Sequence, residues 1–187
     1  MRQSIFVFGV MLFLGPASLL SQEQQRPNII VILADDQGFG DVSALNSESK
    51  IPTPSIDRIA NEGMIFSDGH SSSSVCTPTR YSLLTGRYHW RTRLQRGVLG
   101  GFSPPLIADD RMTLGNLLQK QGYTTACIGK WHLGWDWPLQ DGGTANDKGD
   151  FSGGFKDGWK VDYEGDIQNG PCDRGFDYFF GISASLD

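Results

Sequence analysis

A surplus of positive charge, a bilayer-spanning apolar run and an even set of cysteines are all missing from this sequence. The 187 residues carry a net charge of −5, so no basic stripe points to nucleic acid or to an anionic membrane surface. The apolar stretch from Ile5 to Leu14 is too short to cross a membrane. Behind Met1-Arg2 and ahead of the polar exit Gln22-Glu23-Gln24-Gln25, it reads as a secretory signal peptide over residues 1–21. Export to the periplasm or the extracellular space follows, with residues 22–187 as the secreted part. Only three cysteines occur, Cys76, Cys127 and Cys172. An odd number in an exported protein excludes full pairing and singles out one special thiol. No internal repeat or coiled-coil pattern is present. Asp141, Asn146, Asp147 and Asp150 lack the spacing and closing Glu of an EF-hand, which leaves a solvated acidic loop.

What is present is an alternation of strand-like and helix-like segments. Asn28 to Ala34 is a continuous apolar run, suited to a strand covered on both faces. Thr53 and Pro54 open a helix with Ile56, Ile59 and Ala60 on one face, closed by Gly63. Met64 to Ser67 reads as a second strand. A helix then starts with Thr77 as cap and Pro78 in its first position, Leu83 and Leu84 inward and Gly86 as its stop. Thr113 starts another, with Leu114, Leu117 and Leu118 inward and Gly122 at its end. Tyr123 to Ile128 is a third strand. The order predicts an α/β fold, a largely parallel central sheet sandwiched by helices. Residues 135–171, rich in Gly, Asp and Lys, read as a long surface loop inserted into it.

Ligands of such sheets gather beyond the carboxyl ends of the strands. Three polar clusters fall there. Asp35 and Asp36 follow the first strand, and adjacent carboxylates are costly unless a cation neutralises them. Their hard oxygens suit calcium or magnesium, whereas a lone Asp would read as a turn cap. Cys76 sits at a helix N-terminus, beside free N–H groups that suit an anion, with Arg80 one turn along. Lys130 and His132 follow the third strand, a point charge and a proton carrier. His70 and His89 read as structural. Trp131, Trp135 and Trp137 suit either sugar stacking or packing.

Cys76-Thr77-Pro78-Thr79-Arg80, running on to Leu83-Leu84-Thr85-Gly86, resembles the first signature of the sulfatase family. Gly122 to His132 resembles the second, and the likeness resumes from Gly175 to Ser185. The resemblance implies the alkaline phosphatase-like fold and hydrolysis of sulfate esters of sugars or aryl alcohols. It also implies that a maturing enzyme oxidises Cys76 to formylglycine. By the same likeness Asp35, Asp36 and the modified Cys76 ligate calcium, with magnesium as the second choice. Arg80 and Lys130 hold the aldehyde hydrate and sulfate, His132 hydrogen-bonds the hydrate, and Ser185 lies near the sulfate. Cys127 and Cys172 are then left, as a pair or as free thiols. Alternative readings are a phosphonate monoester or phosphodiester hydrolase of the same fold, and a non-catalytic remnant. Family members are longer, so the chain reads as an amino-terminal portion of limited autonomous stability and activity.

Overall fold

The computed structural model describes residues 26–145 and 157–185. The expected signal peptide, and Asn146, Asp147 and Asp150 of the acidic loop, lie outside the described residues. The structure divides into two units, one ending at Asp36 and one running from Gln37. Among the described residues no helix is long and apolar enough to cross a membrane.

In the first unit, the run expected as a strand, Asn28 to Ala34, forms none. Its side chains are open to solvent, Ile30 at 82% and Ile32 at 80%. Met64 to Ser67, in the second unit, forms none either. A strand exists only through the ladder its neighbour completes. Apolar, β-branched composition supplies the propensity and not the partner.

Three helices form where punctuation residues predict them. α1 spans Pro54–Glu62, with Pro in its first turn, where no N–H is needed. Thr53 holds the cap position, yet its hydroxyl donates to Asp57 Oδ1 at 2.8 Å instead of capping. Ile56 and Ile59, expected on one face with Ala60, are exposed, because a helix face is buried only where another element covers it. α2 spans Cys76–Thr85 and stops at Gly86, whose φ of 63° is the left-handed conformation that glycine adopts without strain. It begins before the expected cap, with Val75 in that position. Of the inward pair expected, Leu84 packs on the core while Leu83 is exposed, and the buried anchor is Tyr81. α3 spans Leu114–Lys120, and Thr113 caps it by accepting from Asn116 N while the Asn116 side chain returns the bond. Leu117, expected inward, is exposed.

The sheet of the described residues has two parallel strands, β1 at Ala126–Lys130 and β2 at Tyr178–Ile182, paired Ala126 to Tyr178 through Lys130 to Ile182. β1 lies slightly later than its expected span. The ladder continues past both strands, with Trp131 N donating to Ile182 O and His132 N to Ser183 O. Parallel strands need a long crossover, and residues between 131 and 177 provide it. That crossover is more built than a solvated loop. Asp136 bridges Gln168 and Leu139 bridges Val161, both antiparallel, while Trp135, Ala145 and Val161 are buried.

The core gathers Tyr81, Leu94, Leu99, Leu106, Ile107, Trp131, Leu133 and Trp135, with Phe176 and Phe179 packed against it. Each buried large side chain contributes about 2 kcal/mol. This core seats α2 against the carboxyl end of β1.

Candidate active site

The site is assembled at the carboxyl ends of β1 and β2, against the first turn of α2. Lys130 is the last residue of β1, and Ser185 follows β2 by three residues. Lys130 Nζ lies 3.4 Å from Cys76 Sγ and 3.3 Å from Ser185 Oγ. Three segments far apart in sequence therefore meet at one ammonium group. Arg80 Nη1 donates to Lys130 O at 2.5 Å, tying the second turn of α2 to the end of β1. Cys76 is the first residue of α2, so the N–H groups of that first turn have no intrahelical acceptor. They add partial positive charge on the Cys76 side.

His132 is held at three points. Its N–H donates to Ser183 O at 2.8 Å, and its carbonyl accepts from Thr77 Oγ1 at 2.9 Å. Its ring Nε2 is 2.7 Å from Leu99 O, and a carbonyl only accepts, so Nε2 carries the hydrogen in that contact. The residue is 2% exposed and sits at φ 55°, an uncommon conformation for a side-chain-bearing residue. A backbone held there by two hydrogen bonds directs the ring.

Thr77 is the residue the sequence reading misplaced. It is fully buried, and its hydroxyl accepts from Leu99 N at 3.2 Å while donating to His132 O. No hydroxyl is left to cap α2, and the helix starts earlier for that reason. Leu99 enters through its main chain alone, for which a side-chain reading has no signal. A Thr one residue after the cysteine, in a first turn where capping and tertiary contact compete, was the available clue.

The three cysteines are free thiols, so the paired alternative for Cys127 and Cys172 is not realised. Burial pushes the Cys127 thiol up from its ordinary range, with Arg80 pulling the other way and Cys172 adding to the rise. His70 is exposed beside Asp68, and His89 is buried in a short turn, both structural placements. Trp131 and Trp135 are core residues. Trp137 packs edge-on against Trp135 and Tyr163, which favours packing over sugar stacking.

Asp35 and Asp36 end the other unit and are described with it. Both are exposed, and Asp36 adopts φ 58°. No group of three or more His, Cys, Asp or Glu gathered for a metal occurs among the described residues. The donor chemistry of two adjacent carboxylates nonetheless fits a hard divalent ion.

A parallel α/β arrangement with polar side chains at its strand ends defines the class, and TM-scores place the fold. One solved structure, described with the metabolism of multiple glycosaminoglycans by Bacteroides thetaiotaomicron, superposes with a TM-score of 0.69 at 36% identity. It covers 87% of this chain and 29% of its own. The fold is alkaline phosphatase-like. The family model described as Sulfatase matches residues 27–187, and the chain belongs to the sulfatase family. It is 38% identical over 166 residues to the N-acetylgalactosamine-6-O-sulfatase of Bacteroides thetaiotaomicron, covering 89% of this chain and 28% of that protein. It is 39% identical over 165 residues to arylsulfatase G of Rattus norvegicus, covering 87% and 25%. The chain thus spans about a quarter of the length of the curated relatives it matches.

Proposed function

We propose that this chain carries the nucleophile-bearing part of an exported enzyme that hydrolyses sulfate esters of saccharides or aryl alcohols. The observation that carries the reading is Lys130 Nζ lying within 3.4 Å of Cys76 Sγ and 3.3 Å of Ser185 Oγ. One cation facing one reactive position and one hydroxyl at a helix N-terminus suits an anionic, tetrahedral substrate. Membership of the sulfatase family supports the reaction class. A sulfatase-maturing enzyme is the partner that would oxidise Cys76 to formylglycine.

Formylglycine at position 76 would supply a hydrated aldehyde as oxygen nucleophile toward sulfur. By the likeness to the family, Asp35 and Asp36 would hold a calcium ion, or magnesium, which would supply Lewis-acid charge stabilisation. The chain's own residues account for the rest. Lys130 places its ammonium where a sulfate ester oxygen would lie against position 76, and Ser185 orients the same group. Arg80 fixes the end of β1 and adds a second positive charge on that side. His132, its ring held through Nε2 by Leu99 O, would serve as the proton carrier of the site. Its buried position keeps the ring out of bulk water.

The test is turnover of an aryl sulfate, in parallel with an aryl phosphodiester, by the protein purified from its own host. Wild type is expected to prefer the sulfate. Cys76→Ala is expected to abolish turnover, and Lys130→Met to lower it about a hundredfold or more. Wild-type rates from Cys76→Ala, or a preference for the phosphodiester, would overturn the reading.

A further inference from the structure

Between α2 and the site, the chain runs through a strip unlike the rest of the molecule. No Asp or Glu occurs between Asp68 and Asp109, while five arginines do, in a protein of net charge −5. Four of these, Arg87, Arg91, Arg93 and Arg96, share ten residues with Tyr88 and Trp90. The two rings stack at 4.1 Å and 12°, yet Tyr88 is 51% and Trp90 46% exposed. The strip is anchored from below. Leu94 is buried in the core, and Arg93 Nη2 donates to Pro104 O and, at 3.1 Å, to Pro105 O. Arg87 Nη2 braces the turn by donating to Arg91 O at 2.9 Å. Arg91 and Arg96 are exposed, and their guanidinium groups form no ion pair with any described residue.

A fixed pair of rings left in water beside two unengaged guanidinium groups contributes little to packing. It does match a ligand that alternates flat apolar ring faces with strong acids. Aromatic faces accept sugar rings, and the guanidinium fork grips sulfate through two parallel bonds. We propose that this strip docks a sulfated polysaccharide, holding neighbouring units of a chain whose target sulfate enters the Cys76 site. The proposal rests on the sulfatase reading of that site.

Placement supports this occupant. The strip ends at Leu99, whose N–H donates to Thr77 and whose carbonyl accepts from His132. Arg96 precedes Leu99 by three residues, so it lies within about 11 Å of it. The aromatic pair follows the far end of α2, a ten-residue helix about 15 Å long. A nucleic acid would also meet arginines, but the strip runs into a site read as holding a sulfate ester. A relative of 38% identity is named for a sulfated amino sugar.

Binding of a fluorescent chondroitin sulfate chain, measured without turnover, tests the proposal. The native protein is expected to bind it, to weaken as salt rises, and to ignore the desulfated chain. Arg91→Ala with Arg96→Ala is expected to lose about tenfold or more in affinity. Trp90→Ala should lose severalfold, and the double Lys variant should recover part of the loss. All these positions are exposed, and circular dichroism checks that the fold is kept. Unchanged affinity in the double Ala variant overturns the docking surface. Single-stranded DNA binding as tightly, with the same loss on mutation, overturns the glycan assignment. Oxidation at position 76 is read separately, from the mass of the peptide that carries it. Failure of the strip, with position 76 found oxidised, therefore counts against this inference alone, whereas strip binding with an unoxidised Cys76 counts against the sulfatase reading.

Discussion

At Thr77 a single hydroxyl serves two main-chain groups, accepting from the N–H of Leu99 and donating to the carbonyl of His132. Both bonds are buried, and losing them leaves desolvated polar groups behind. Thr77→Val, which keeps the shape and removes the hydroxyl, is expected to destabilise the fold by about 2 kcal/mol, and Thr77→Ser by less. Denaturant unfolding of the two variants reads this directly, and equal losses would contradict it. Burial raises the Cys127 thiol, so its alkylation should begin at a higher pH than that of a solvent-exposed model thiol. Peptide mapping after iodoacetamide treatment across pH measures that. That Cys76, Lys130 and Ser185 come together was legible in the sequence, because motif spacing records it. Thr77 was legible as a residue of note but not in its role, since local capping and a tertiary bond competed for one oxygen. Leu99, acting through its backbone, left no mark.

The elements show the same division. α1, α2 and α3 could be placed from Pro, Gly and Thr, because those residues act through local backbone geometry. Strand identity depended on distant partners, so the apolar runs at Asn28 to Ala34 and Met64 to Ser67 misled, while β2 was not anticipated as a strand. What joins α3 to the sheet is Asp177, which accepts from Thr125 N at 2.7 Å, from Thr125 Oγ1 at 3.0 Å and from Gln119 Nε2 at 2.7 Å. The backbone bond from Thr125, then its hydroxyl and Gln119, hold the carboxyl below its ordinary range. A carboxyl depressed in the folded state stabilises it fully above the unfolded pKa of about 4, and that stability is lost as pH falls through the folded value. Unfolding midpoints of wild type should therefore drop on acidification more steeply than those of Asp177→Asn. Parallel curves would remove Asp177 from the account. Within the sheet, a Cβ at Gly181 would run into Gly129 O, inside the β1–β2 ladder. Gly181→Ala is expected to cost about 3 kcal/mol, read by thermal or denaturant unfolding.

On the scale of the molecule, an acidic protein concentrates positive charge at the strand ends beside α2. The sequence made the demand visible, since −5 overall requires a local exception at any sulfate site. The structure supplies that exception in Lys130 and Arg80 beside the first turn of α2. The parallel arrangement places the exception where β1 and β2 end, as sheets of this kind do. Family membership agrees with that geometry. The central claim is that residue 76 works as an oxidised side chain gripped by these cations. Mass spectrometry of the peptide spanning Ser71 to Arg80, from protein produced in its own host, tests it most directly. The account predicts the mass decrease of a CH2SH group replaced by an aldehyde, with the adduct of a carbonyl reagent at position 76. An unmodified thiol there in fully active protein would contradict it.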